Sequence, residues 1–313
     1  GGGENASVEG DIFLFLAGGT LKNVYGGARG RGKVGAVSIQ IAPGAAITGN
    51  VYLVGTGTGA KAESANLTIS GENALAGFTG LLNGLYYDAE TGKKTAGTLT
   101  FSDASVEFNG KLSHFSELSL ENSSVTLHQF NRTGNYKNIG KYTIGSGGTL
   151  TLDATGKYTV SASFSGSGTL VFTGNAIHSV KAGSSGFEGN LRITSGTTLD
   201  MQGSFLSTTT DKAGVTVESG GMFQFSKKTA ELKSKLSGEA GSIVSARDVA
   251  LTISGDITGF HGIFSASGKG SLTLKSDLDA ESIPALNLHF DGKKTGSIIL
   301  ASDPEEAVDL HIS

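Results

Sequence analysis

Short runs of alternating apolar and polar residues recur along the 313-residue chain at a nearly constant interval. They are Val37–Ile41, Leu67–Ile69, Leu99–Phe101, Val125–Leu127, Leu150–Leu152, Leu170–Phe172, Leu191–Ile193, Val215–Val217, Leu251–Ile253, Leu272–Leu274 and Leu286–Leu288. A period of two is that of a strand with one face turned inward. The runs that begin at Leu150, Leu170, Leu191 and Val215 start 20, 21 and 24 residues apart, and Leu251 and Leu272 start 21 apart. An antiparallel sandwich would place turns every ~8–12 residues. A repeat of roughly 20–24 residues instead fits one coil of a parallel β-solenoid, whose inner face is buried by the next coil. The fold class expected is therefore all-β, a single β-solenoid domain over residues 1–313. At roughly 22 residues per coil the chain would hold about 14 coils, a rod of ~70 Å at ~4.8 Å per coil.

Glycine supplies the corners such coils need. The 49 glycines are about 16% of the chain, about twice the usual share, while only 3 prolines occur. No Gly-X-Y period is present, which excludes collagen. A net charge of -4 with mean hydropathy near zero is unlike a disordered chain. Gly-Thr-Leu recurs at Gly97, Gly148 and Gly168, each leading into a strand, and Gly-Lys-Lys-Thr recurs at Gly92 and Gly292. Two segments leave the pattern. Residues 80–95, with Leu81, Leu82, Leu85, Tyr86 and Tyr87, read as a protruding loop or hairpin. Residues 227–236 read as an irregular insertion.

Composition also excludes chemistry. With pI near 5.9 there is no electrostatic case for nucleic acid. The absence of cysteine removes disulfides, thiolate metal sites and thiol nucleophiles together. Ile12–Ala17, the longest apolar stretch, is too short to span a bilayer. The chain opens Gly-Gly-Gly-Glu, without the basic and apolar regions of a secretion leader.

Ser165-Gly-Ser-Gly-Thr-Leu-Val-Phe-Thr-Gly174, followed by Gly186-Phe-Glu-Gly-Asn-Leu-Arg-Ile-Thr-Ser-Gly-Thr-Thr-Leu199, resembles the strand repeat of bacterial autotransporter passenger domains. Gly259–Phe264 with Gly270–Leu274 looks like a second copy, and Val24–Ala28 with Gly49–Tyr52 is similar to repetitive surface proteins. The resemblance implies a right-handed parallel β-helix, exported by a Gram-negative-type bacterium and secreted or held at the cell surface. The chain would then be a fragment of a longer exported protein. Its outer-membrane association would come only through a translocator domain outside these residues. The implied function is non-enzymatic: an adhesin-like domain that binds host glycan, matrix protein or its own copies, with no cofactor. The alternative is a carbohydrate-active β-helix, a polysaccharide lyase or glycoside hydrolase. Asp153, Lys181, Arg192 and Asp200 permit such an enzyme without indicating it.

No catalytic residue is assigned. Gly30-Arg-Gly32-Lys-Val-Gly35 spells G-x-G-x-x-G, but an alternating strand follows where a dinucleotide site needs a helix, so it reads as a solenoid turn. Asp277, Asp279 and Glu281 place three carboxylates on one face of an extended chain, a weak metal candidate that reads better as a solvated face. Six histidines (114, 128, 178, 261, 289 and 311) are too scattered for a site and read as surface or turn residues. Binding candidates are the basic and aromatic group Tyr25, Arg29, Arg31 and Lys33, together with Tyr86 and Tyr87. Such side chains stack on sugars or anchor a protein partner.

Overall fold

Alternating runs separated by a fixed interval must stack in register, and the computed structural model shows that they do. It describes residues 3–130, 135–181, 183, 186–203, 208, 211–227 and 229–274, with the backbone of 287–290 and 297–300. The fold is a parallel β-solenoid of about 11 turns, and no α-helix occurs among the described residues. The chain divides into two compact units, Gly1–Thr151 and Leu152–Ser313.

In the first unit the strands Ile12–Leu16, Ala36–Ile41, Ser64–Glu72, Lys94–Phe108, Lys111–Glu121 and Tyr136–Ile144 pair in parallel, each with the next. Register carries one inward column through Leu14, Ile39, Leu67, Leu99, Leu118 and Tyr142. From Ile39 to Tyr142 every member of that column is essentially excluded from water. Burying an aliphatic or aromatic side chain of this kind is worth about 1.5–3 kcal/mol. Because neighbouring residues face opposite ways, the outward columns collect Ser38, Asn66, Thr98, Gln40, Thr68 and Thr100 instead.

The second unit repeats the scheme. One inward column runs Leu170, Leu191, Val215, Leu236, and another runs Tyr158, His178, Leu199, Phe223, Val244, Phe264. A third joins Leu232, Ile253 and Leu274. From His178 to Phe264 the steps are 21, 24, 21 and 20 residues, as the sequence interval requires. In the first unit the steps from Leu14 to Leu99 are 25, 28 and 32 residues, so fewer turns form than the short interval implies. Coil length is free to vary where the extra residues lie in connections, because only the paired strands must stack.

The two irregular segments are both strand-bearing. Within residues 80–95, Leu81–Asn83 is an ordinary coil strand. Leu85–Asp88 then folds back antiparallel on the strand that begins at Lys94, pairing Leu85 with Ala96, Tyr86 with Thr95 and Tyr87 with Lys94. The turn is held at Asp88, whose carboxylate accepts from the Thr91 backbone N–H at 2.6 Å and the Thr91 hydroxyl at 2.7 Å. Gly92 takes the left-handed conformation there, with φ 66°. The expectation of an irregular insertion at 227–236 is corrected. Ala230–Leu232 and Lys235–Gly238 are strands in two different ladders, and Leu232 and Leu236 are both fully buried. Their partners, Ile253 and Val215, are about twenty residues away, so nothing local in the sequence announces them.

Candidate functional site

The strands Arg31–Lys33 and Gly59–Ala62 pair in parallel, and Gly59–Ala62 pairs in turn with Leu85–Asp88. Register places Lys33 beside Lys61, Lys61 beside Tyr87, and Tyr87 beside Lys94 of the antiparallel return strand. Neighbours across a sheet lie about 4.8 Å apart, so four residues from distant parts of the sequence form one outward column. Ala60 and Ala62 alternate with Lys61 and are buried beneath it. Arg31, Lys33 and Lys94 are exposed, and Lys61 and Tyr87 are half-buried.

Lys33 lies 3.8 Å from Glu63, while Lys61, Lys93 and Lys94 make no ion pair among the described residues. The Asp88 carboxylate is held below its ordinary range chiefly by the Thr91 hydroxyl and backbone N–H, with Lys33 a smaller contribution. Arg31, Lys33, Lys61 and Lys94 lie along these paired strands with Asp88, while residues 4–9, which include Glu4 and Glu9, run beside Arg31–Lys33: the Arg31 N–H donates to the Glu4 carbonyl at 3.2 Å and the Val8 N–H to the Lys33 carbonyl at 3.0 Å. Three lysines therefore share one register line on a chain whose net charge is -4.

An aromatic pair is built by the same coils. Val24–Tyr25 pairs in parallel with Val51–Tyr52, and the two tyrosine rings stack with centroids 5.2 Å apart and planes 7° from parallel. The Arg29 guanidinium carbon lies 5.7 Å from the Tyr25 ring centroid, within cation–π range. The Asn50 side-chain amide donates to the Tyr52 hydroxyl at 3.3 Å.

Five of the six sequence candidates thus fall in two patches of the first unit: Tyr25 and Arg29 with Tyr52, and Arg31, Lys33 and Tyr87 with Lys61 and Lys94. Tyr86 is corrected. It is 7% exposed and belongs to the core, because adjacent residues of a strand cannot face the same side. Burial first, and the Asp88 carboxylate second, raise its phenol above the ordinary range. Sequence reasoning missed Tyr52, Lys61 and Lys94. The recurrence of Val-Tyr at Val24 and Val51, 27 residues apart, would have aligned both tyrosines, and the similar step from Lys33 to Lys61 would have found the lysine.

The reading of every histidine as a surface or turn residue is corrected at His178, which is fully buried. Its Nε2 lies 3.1 Å from the Thr173 carbonyl, which can only accept, so Nε2 carries the proton and Nδ1 accepts from the Tyr158 hydroxyl. Burial drives its pKa down to about 4, against smaller opposing effects of the Thr173 carbonyl and Asp153. His128 pairs with Glu107 at 2.6 Å, His261 is exposed, and the side chains of His289 and His311 lie outside the described residues. His114 sits half-buried between Ser113 and Asn138.

Among the enzyme candidates, Asp200 is 5% exposed and accepts from Gln202 at 2.7 Å, Ser179 at 3.3 Å and Gln224 at 3.3 Å. Desolvation raises its pKa, but the donors from Ser226, Gln202, Gln224 and Ser179 outweigh it and hold the carboxyl low. Arg192 is bound to Glu218 at 2.7 Å. These are bonds between coils and within a coil. Asp277, Asp279 and Glu281 lie outside the described residues, and no group of three or more histidines or acidic residues suited to a metal occurs among those described. In G-x-G-x-x-G the central residues Arg31–Lys33 are a strand, and a β-carbon on Gly35 would run into the Gly10 carbonyl. Those glycines allow close stacking of coils.

Fold and surface together define an all-β parallel β-solenoid with a basic and aromatic outer face. No protein-family model, curated protein or solved structure matches the chain.

Proposed function

We infer that this protein is a non-catalytic recognition solenoid, the passenger-type part of an exported surface protein, which holds acidic glycan on the outer face of its first unit. The observation that supports this reading is the column Lys33, Lys61, Tyr87, Lys94, three cations and a phenol ring in one register line. A flat ladder of this kind offers ammonium groups to carboxylate or sulfate and an aromatic face to a sugar ring. Autotransporter-like export is supported by the Gly-Thr-Leu strand phrases and by the coil-on-coil fold. Each coil completes its neighbour's core, so stacking can advance with the chain as it emerges.

The test is binding to immobilised heparin against neutral dextran, combined with an assay for new reducing ends. Retention on heparin, weakened by salt and reduced about tenfold by Lys61→Glu, is the expected result. Release of reducing ends from the glycan would establish the polysaccharide-active alternative instead. Equal retention of wild type and Lys61→Glu would remove this face from the reading.

A further inference from the structure

Gly84, His114 and Asn138 occupy one corner in three successive coils, each directly after a member of the paired line Asn83, Ser113, Lys137. The register of the last two coils joins Ser113 to Lys137 and Phe115 to Ile139, and passes over His114 and Asn138. Both take the left-handed backbone, with φ 59° and 55°, which histidine and asparagine accept more readily than most side chains. The bend interrupts the alternation of the strand, so Ser113 and His114 are both half-buried between buried Leu112 and Phe115. The Asn138 side-chain amide donates to His114 Nε2 at 2.9 Å, so Nδ1 carries the ring proton and donates to the Ser113 hydroxyl at 2.6 Å. Two ammonium groups act on this neutral ring. Lys137 adjoins Asn138 in the following coil, and Lys94 lies on the return strand of the hairpin, three residues before Gly97, which pairs with Phe115. Burial first, then Lys94 and Lys137, hold the imidazole below its ordinary range. Neither lysine makes an ion pair among the described residues.

The other charges on the elements packed against the ring are engaged elsewhere or carry the same sign. On its own strand, Lys111–Glu121, the charged residues are Lys111, Glu117 and Glu121, and Glu117 is bound to Lys141 at 3.5 Å. On the hairpin, Asp88 is turned into its own loop by Thr91, and the preceding coil presents Asn83 and Gly84, which do not titrate. We propose that this corner is an anion site, in which Lys94, Lys137 and the His114 ring hold the sulfate group of a glycan ester. An oxyanion between the two ammonium groups cancels the repulsion that keeps the imidazole neutral, so the ring takes a proton from solvent as the anion enters. The new Nε2–H cannot face an amide N–H. The Asn138 amide therefore turns over, its oxygen accepting from the ring and its NH2 group freed for the anion. Uptake of sulfate and of the proton is thereby coupled, and affinity rises as pH falls through mild acid. The corner adjoins the Lys33, Lys61, Tyr87, Lys94 column through Lys94, and it rests on the glycan reading for the carrier of the sulfate group.

Inorganic sulfate is the first probe, with the His114 ring titrated by NMR in the whole chain, in sodium sulfate and in sodium chloride of equal ionic strength. Sulfate is expected to raise the midpoint of the ring beyond chloride, and Lys137→Gln, at an exposed position, to abolish the difference. Retention on heparin at pH 7.5 and pH 5.5 is the second measurement, made beside His114→Asn, which keeps a side chain suited to the left-handed backbone. Between the two pH values wild type should gain at least threefold in affinity over that variant, and heparin stripped of its sulfate groups should show no such gain. A His114 midpoint equal in sulfate and chloride overturns the proposal. So does heparin binding that depends on Lys61 yet responds to pH alike in wild type and His114→Asn, a result that leaves the glycan reading standing. A ring that answers to sulfate in a protein that ignores heparin upholds the anion site and overturns the glycan reading alone.

Discussion

Protonation of His178 is expected to destabilise the second unit in mild acid, by an amount set by its burial. The imidazole has no contact with solvent and lies edge-on to the Phe172 ring with centroids 5.0 Å apart. Nδ1 is committed to the neutral form by accepting from the Tyr158 hydroxyl, whereas the Nε2–H bond to the Thr173 carbonyl is kept in either form. Burial lowers the pKa to about 4, against about 6.5 in an unfolded chain. A depressed histidine pKa means that the unfolded state binds the proton first as pH falls. Stability contributed by the neutral ring is therefore whole above pH ~6.5 and is lost progressively down to about pH 4. With ~1.4 kcal/mol per pKa unit the loss is about 2 kcal/mol at pH 5 and about 3 kcal/mol at pH 4. Denaturant unfolding of wild type and His178→Leu at pH 7 and pH 4 isolates it, since the carboxylates shared by both proteins cancel in the difference. The variant starts less stable at pH 7, because the Tyr158 hydroxyl and Thr173 carbonyl lose a partner. It should then lose about 3 kcal/mol less than wild type on acidification. Parallel pH profiles for the two proteins, or a His178 ring proton that titrates near 6.5 by NMR, would refute the reasoning.

Two further outcomes follow from close packing and from buried charge. Gly80→Ala should lower the melting temperature measurably, because a β-carbon at Gly80 would run into the Gly49 carbonyl of the preceding coil, while Gly77→Ala, in open space, should cost less through its left-handed backbone alone. Asp200→Leu should cost about 2–4 kcal/mol in urea unfolding at pH 7 by leaving the Gln202, Gln224 and Ser179 donors without their acceptor. Because the Asp200 pKa is lowered in the fold, its contribution is present above the ordinary carboxylate range and vanishes as pH falls below it, so the two proteins should converge in strong acid.

Much of the fold was legible because a solenoid repeats its instructions. Leu170-Val-Phe172 and Leu191-Arg-Ile193 announce both a strand and a parallel partner, since the same pattern returns at an interval that one coil can span. The candidate site was legible only in part. Tyr25, Arg29, Arg31, Lys33 and Tyr87 have the right chemistry, but Lys61 and Lys94 join them through register alone. Residues 227–236 misread for a related reason. Leu232 and Leu236, four apart, fit a helical turn as well as two short strands around a corner.

Local pattern therefore determined what each segment is: period-two runs make strands, glycines make the corners and the cysteine-free, lightly charged composition excludes whole classes of chemistry. Tertiary structure decided which side chains meet. Coil length varies from 19 to 32 residues in the first unit, so the partner of Lys33 or Tyr25 follows from the lengths of the connections between strands. The same holds for His178, whose surface-like sequence setting becomes core once Tyr158 and Leu199 stack on either side. Strand formation is a short-range property of the chain, whereas stacking register sums over every residue in a coil, and that sum is closed only when the coils pack.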